Sequence, residues 1–259
     1  MSIVSGSPPA APASMGGLSS AVEDLSVLPE MNSLRFDASS YLSRPLSTGS
    51  TTKFTYSFWF KRVREAASST NDILWWAYDG ASYTTVSFQN DKLRFFEATD
   101  NSINDFNANV ISDRVFRDFS AFYHIVISVD AAQTSLNDKF KLYVNGISNS
   151  LHSSSYFTDS VLSVMNTATT AYIGQQSNSI YLSGYLANIH FIDGQALDHN
   201  SFGETISDIW VPKAYGSGDP SNASQVLAEY GTNGFHLDFA DANNIGNDVS
   251  GRGNHWTVN

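Results

Sequence analysis

The sequence predicts an all-β protein, an antiparallel jelly-roll β-sandwich preceded by an extended N-terminal arm. Three observations carry that expectation. Short runs alternate apolar and polar residues from residue 33 onward, and turn pairs such as Asp79-Gly80, Asn145-Gly146 and Asp193-Gly194 interrupt them. No stretch holds the 3.6-residue period that the helices of a parallel α/β fold require. With 259 residues, 42% of them hydrophobic, the chain is long enough for one large β-domain with a sizeable core.

Residues 1–30 read as the arm. MSIVSGSPPAAPASMGG is built of Ser, Pro, Ala and Gly and has too little apolar surface to fold alone. It also lacks the basic start and apolar centre of a secretory signal. An arm of this kind suits anchoring to a partner, with Pro8, Pro9, Pro12 and Leu18 as the anchoring residues, and AVEDLSVLPE (21–30) reads as a short helical turn ended by Pro29.

Residues 31–210 read as the sandwich. SLRFDASSYL places Leu34 and Phe36 on one face, and KFTYSFWFKR sets Phe54, Tyr56, Phe58 and Phe60 against Thr55, Ser57 and Trp59. DILWWAY, YTTVSFQ and KLRFFEA follow as a meander. Residues 103–119 are amide-rich and acidic, and read as a long loop or broken strand. The clearest signal is at 122–146, where Ile125, Ile127 and Val129 alternate with His124, Val126 and Ser128, and Phe140, Leu142 and Val144 alternate with Lys141 and Tyr143. That is a hairpin around a polar loop at 133–138, each arm burying one face. TAYIG and GYLANIHFIDGQAL restore the strand pattern, residues 198–203 cap a helical turn, and 210–222 are loop-like. Residues 211–259 form a C-terminal extension in which the strand 235–239 folds back on the sandwich.

Composition removes several classes of function. The net charge is -11 and the 14 basic residues are spread thinly, so no footprint for a phosphate backbone exists and nucleic acid is not expected as a partner. No cysteine is present, which removes disulfide and thiol chemistry. No apolar run approaches the ~20 residues of a membrane span. There is no HExxH, no close histidine pair, no Gly-x-Ser-x-Gly elbow and no phosphate-cradling glycine loop.

The ordered set SLRFDASSYL, FTYSFWFKR, SAFYHIVISVD, KLYVNG, AYIG and GYLANIHFIDGQAL resembles the laminin-G-like, concanavalin A-like lectin and glucanase superfamily over roughly residues 33–203. The wording IHFIDGQAL, YGTNGFHLDF and NDVSGRGNHW is also similar to virion proteins of tailed bacteriophages, of the tail-fibre and capsid-appendage types. These resemblances imply two stacked antiparallel sheets and a binding function. They further imply localisation on a virion, contact with other virion proteins, a homo-oligomer and contact with host-surface glycans. A soluble carbohydrate-binding lectin module or adhesin is the alternative reading.

Retaining glucanases of this superfamily place two carboxylates two residues apart on one strand face. No two of the 25 acidic residues here have that spacing, so the expectation is a non-enzymatic protein, with a glycoside hydrolase as the least favoured reading. The candidate glycan contacts are Trp75, Trp76, Tyr78 and Asp79, because aromatic faces stack on sugar rings and carboxylates accept from hydroxyls. Adjacent strand residues face opposite ways, so one of Trp75 and Trp76 belongs to the core. No cofactor is expected. DFADANNIGND offers oxygen ligands of the kind calcium takes in Asp238, Asp241 and Asp248, although an Asx-rich turn explains them as well.

Overall fold

A computed structural model describes residues 2–6, 30–64, 71–99, 106–162, 164–177, 179–215 and 229–259. The strands run β1 (Ser2–Gly6), β2 (Met31–Asp37), β3 (Leu42–Pro45), β4 (Lys53–Arg62), β5 (Asp72–Tyr78), β6 (Tyr83–Gln89), β7 (Lys92–Ala98), β8 (Phe106–Ile111) and β9 (Tyr123–Asp130). They continue, after the single-turn helix α1 (Leu136–Lys139), as β10 (Phe140–Val144), β11 (Ile147–Asn149), β12 (Tyr156–Phe157), β13 (Thr170–Ile173), β14 (Gln175–Gln176), β15 (Ile180–Tyr181) and β16 (Ser183–Asp193). The last are β17 (Gly203–Ile206), β18 (Ile209–Pro212), β19 (Phe235–Leu237) and β20 (Thr257–Val258).

Two antiparallel sheets face each other. The first has the order β1-β2-β16-β4-β9-β10-β11, and β19 pairs along the far half of β16. The second has the order β12-β8-β7-β6-β5-β13-β3-β20. Alternation fixes which side chains meet between them. Phe54, Tyr56, Phe58 and Phe60 of β4 and Ile125, Ile127 and Val129 of β9 are buried in one core with Trp75, Val86, Phe88 and Phe95 of the second sheet. The hairpin at 122–146 forms as its alternation requires, with Val129 opposite Phe140, Ile127 opposite Leu142 and Ile125 opposite Val144. The turn α1 sits in its loop, capped by the Ser135 side chain, which accepts from the Asp138 N–H.

Several expectations change. The hairpin arm β9 is buried on both faces, because residues 195–215 and Tyr230 lay a second layer on the outer side of the first sheet. Residues 106–111 make a full strand, and 209–212 pair with 203–206 where a loop was expected. The arm does not begin outside the sandwich: β1 pairs with β2 as the edge of the first sheet. The division at residue 210 also dissolves, since Phe235, Leu237, Phe239 and Trp256 belong to the main core and β20 closes the second sheet on β3. The helical turn expected at 21–30 falls almost wholly outside the described residues. So do the anchoring residues Pro8, Pro9, Pro12 and Leu18. No helix among the described residues is long and apolar enough to cross a membrane.

Both sheets are joined at one end by a buried polar node. Asp193, at the end of β16, accepts from the Ser50 N–H (2.8 Å), from Asn166 Nδ2 (2.5 Å) and from the Asn233 N–H (3.0 Å). Asn233 Nδ2 donates to Asn166 Oδ1 (2.7 Å) and to the Ser47 carbonyl (2.6 Å), while Arg44 Nη1 donates to the Asn233 carbonyl (3.1 Å). A Cβ on Gly49 would overlap Asp193 Oδ2 and the Asn166 amide, so glycine is required there.

The second layer on the first sheet encloses histidines in neutral form. His124 Nδ1 accepts from Trp210 Nε1 (2.9 Å), which leaves Nε2–H to donate to Ser57 Oγ (2.9 Å). His190 stacks on His236 with ring centroids 3.9 Å apart. Burial pushes His124 down to about 3 and His236 to about 4, and burial together with the neighbouring His236 holds His190 well below the usual imidazole range. Because these folded-state values lie below the unfolded value, the unfolded chain binds more protons as pH falls through about 6.5, and each histidine then removes about 1.4 kcal/mol of stability per pH unit. Asp72, raised by burial, opposes this with one group against three. Thermal denaturation followed from pH 7 to pH 4.5 should therefore show Tm falling steeply below pH 6.5. A flat Tm over that range would contradict the buried neutral histidines.

Candidate functional site

On the outer side of the second sheet Trp76, Tyr172 and Tyr41 are half-buried and Tyr78 is exposed, while Thr85, Ser87 and Phe96 are buried. The composition of this face follows from register. Tyr172 of β13 stands opposite Ser43 of β3 and Trp76 of β5; Trp76 stands opposite Thr85 of β6, Thr85 opposite Phe96 of β7, Phe96 opposite Asn109 of β8, and Asn109 opposite Tyr156 of β12. Residues directly opposed in an antiparallel ladder share a face, so these side chains form one row across the sheet. Tyr78 and Tyr83 lie in the next row, one pleat away.

The aromatic rings in this surface touch. Trp76 and Tyr172 have centroids 5.1 Å apart, and Trp76 and Tyr78 are stacked at 5.9 Å with planes inclined by 15°. Tyr41 continues the strip at 6.0 Å from Tyr172 and 6.3 Å from Tyr181, and Tyr83 packs 5.6 Å from Phe96. Trp76, Tyr172 and Tyr41 are half-buried and Tyr78 is 36% exposed, so ring faces and edges reach solvent from a rigid sheet. The Tyr78 hydroxyl donates to the Gly80 carbonyl (2.6 Å) and Thr169 Oγ1 donates to the Tyr78 carbonyl (2.6 Å), which fixes the end of the strip. Rigid aromatics flanked by hydroxyls and amides can stack on a sugar ring and bond its edges without first being ordered.

The four sequence candidates divide. Trp76 and Tyr78 are in the strip. Trp75 is fully buried, stacked on Phe191 at 5.1 Å, and is corrected from a glycan contact to a core residue. The cause is the bulge between Ile73 and Trp75, which sets the facing of the strand end. Asp79 commits Oδ1 to the N–H groups of Ala81 (2.8 Å) and Ser82 (2.7 Å), so that oxygen shapes the β5–β6 turn. Sequence reasoning missed Tyr41, Tyr83 and Tyr172, and Phe96 packs beneath Tyr83 as a buried ring. The local signal was there, since Tyr172 alternates with the core residues Ala171 and Ile173, but pairing with Trp76 depends on long-range register.

The calcium candidates resolve into turns. Asp238 accepts from the Ala240 N–H and Asp241 from the Asn243 N–H, while Asp248 accepts from His236, Ser250 and Asn254 with both oxygens engaged. Among the described residues no group of three or more His, Cys, Asp or Glu is placed to hold a metal ion.

A second concavity, a cleft of about 610 Å³, lies on the first sheet beside Asp130, Asp138, Lys141, Tyr143 and Asp198. Asp130 is its most enclosed carboxyl. Burial would raise its pKa, but hydrogen bonds from Gln133 Nε2 (2.9 Å) and Lys53 Nζ (3.0 Å) outweigh that and lower it. A carboxyl held ionised in this way cannot serve as the general acid that glycoside hydrolysis needs.

A family profile described as the concanavalin A-like lectin/glucanases superfamily matches residues 36–200. No curated protein matches the sequence. Among solved structures, a Bacteroides ovatus protein taken to be carbohydrate-binding superposes with a TM-score of 0.53 at 14% identity, over 88% of this chain and 58% of that one. Domain 4 of AbnA, a GH43 extracellular arabinanase of Geobacillus stearothermophilus solved with arabinotriose, gives 0.44 at 13% identity, over 65% and 72%. Mouse laminin α1 domains LG4-5 give 0.43 at 12%, over 74% and 48%. The Bacteroides ovatus protein shares the fold, and the chain spans about half to three quarters of the lengths of the three. With its matched span covering most of the sandwich, the chain belongs to the concanavalin A-like lectin/glucanases superfamily.

Proposed function

We propose that the protein is a non-catalytic carbohydrate-binding domain whose ligand lies on the outer face of the second sheet, across Trp76, Tyr172 and Tyr41. The observation that carries this is the contiguous strip of partly exposed rings on the outer side of the second sheet, opposite the side where a second layer packs on the first. The carboxylate pattern gives no support for hydrolysis, because no acid pair has the required spacing and Asp130 is held ionised.

The setting we propose is the surface of a tailed-bacteriophage particle, as a capsid decoration or tail appendage present in several copies and contacting host glycans. Its support is the resemblance of IHFIDGQAL and NDVSGRGNHW to such proteins, together with the Ser, Pro and Ala-rich stretch before residue 31.

Two measurements test these readings. On a glycan array or in affinity electrophoresis the protein should retain at least one polysaccharide, and Trp76→Ala or Tyr172→Ala should weaken that retention about tenfold or more, the loss typical of an aromatic anchor. Both variants should melt close to the parent. Unchanged retention by both would remove this face as the site. Mass spectrometry of purified particles should find the chain as a stoichiometric component. Its absence from particles would reject the virion setting and leave a lectin module.

A further inference from the structure

Charge is divided unevenly between the two sides of the second sheet. The chain holds 25 acidic and 14 basic residues. Within the strands of this sheet the acidic residues are Asp72 and Glu97, and both lie on the core side: Asp72 stands opposite Phe88, and Glu97 stands opposite Thr84 with 3.3 Å between Oε2 and Oγ1. On the outer side the strands carry Lys92 and Arg94, both positive.

Arg94 is held in place. Its Nε donates to Asn109 Oδ1 (2.7 Å), its Nη1 donates to Gln89 Oε1 (3.1 Å), and its guanidinium carbon sits 4.2 Å from the centroid of the Phe96 ring. All three partners are neutral. Among the described residues no carboxylate lies within ion-pair distance of it, whereas Arg62, Arg64 and Arg117 each pair with Asp72 or Asp91. Burial lowers its pKa, as it does for a cation without a counter-charge. Two of its five N–H donors are used, which leaves the others for a planar acceptor with two oxygens. Two strand spacings and one pleat repeat put it about 12 Å from Trp76, within the span of one bound oligosaccharide.

We propose that this face selects acidic saccharides, with Arg94 receiving a carboxylate or sulfate of the glycan while Trp76 and Tyr172 hold the sugar rings. The inference rests on the carbohydrate-binding reading of the same face. Lys92 adds longer-range attraction. In a chain of net charge -11, a strand face whose charges are all positive offsets the repulsion that an anionic polymer would otherwise meet.

The test uses the full chain on an array of matched glycans: sialylated with desialylated, uronate with its methyl ester, and sulfated with unsulfated. The acidic members should be bound at least tenfold more tightly than their neutral partners, and Arg94→Gln should erase that preference while the protein stays folded, with a cooperative melt at a modestly lower Tm, and keeps weak neutral binding. Arg94→Lys, which keeps charge without the fork, should restore only part of it. Preference for the carboxylated or the sulfated pairs identifies the acidic group. Binding that is lost in Trp76→Ala but identical in Arg94→Gln, or equal for neutral and acidic members, would overturn the proposal and leave the carbohydrate reading standing. Retention of no glycan by the parent protein would overturn both.

Discussion

Asp193 joins parts of the chain that are far apart in sequence. It ends the longest strand of the first sheet, and its two oxygens take donors from the segment between β3 and β4, from the segment before β13 and from the segment before β19. The first of these connects the two sheets, the second feeds the second sheet and the third returns to the first. A buried carboxylate is tolerated only when its oxygens are satisfied, and here backbone and amide donors satisfy them with Arg44 nearby. The three segments also bond to one another directly, Asn233 to Ser47 and Asn166, and Asn166 to the Ser50 carbonyl (3.0 Å), so the node is one connected network. β13 follows that node in the chain, and its pairing with β3 and β5 sets Tyr172 against Trp76.

Once the sheets are fixed, the two outer faces diverge. The first is covered by the β17–β18 hairpin and Tyr230, which enclose Val126, Ile192 and Phe202 and keep three histidines neutral. This layer adds burial, and beside it the first sheet keeps the 610 Å³ cleft at Lys141 and Tyr143. The second outer face presents partly exposed rings on β5 and β13 beside hydroxyls and amides, and β7 adds two cations, Lys92 and Arg94. A flat sheet holds such groups at fixed spacing, so binding there would order little of the protein.

Much of the fold could be read in advance because alternation is a local property. The facing of β4 and of the 122–146 hairpin follows from residue type alone, and the core-facing residues pack as the alternation requires. In β16 alternation groups Ala187 with Ile189 and Phe191, but the register shift between Ala187 and His190 turns Ala187 to the outer side with Met31 and Trp59. The site was legible only in part. Trp75 and Trp76 are neighbours on one strand, and choosing between them depends on a bulge that residue identity does not encode. Tyr41, Tyr172, Phe96 and Arg94 come together through pairings between distant segments, which periodicity cannot supply. In the Asx-rich tail two readings share one sequence pattern. Asp238, Asp241 and Asp248 have the chemistry of cation ligands, but each caps its own turn, a use that leaves the same trace in sequence.

The assignment of recognition to the open face is tested most directly by hydroxyl-radical footprinting of the full chain with and without saturating polygalacturonate, a linear acidic polysaccharide. The account predicts slower oxidation of Trp76, Tyr78 and Tyr172 in the complex, with Tyr143 beside the 610 Å³ cleft unchanged. Protection of Tyr143 with Trp76 and Tyr172 unaffected would place the ligand on the first sheet and contradict it.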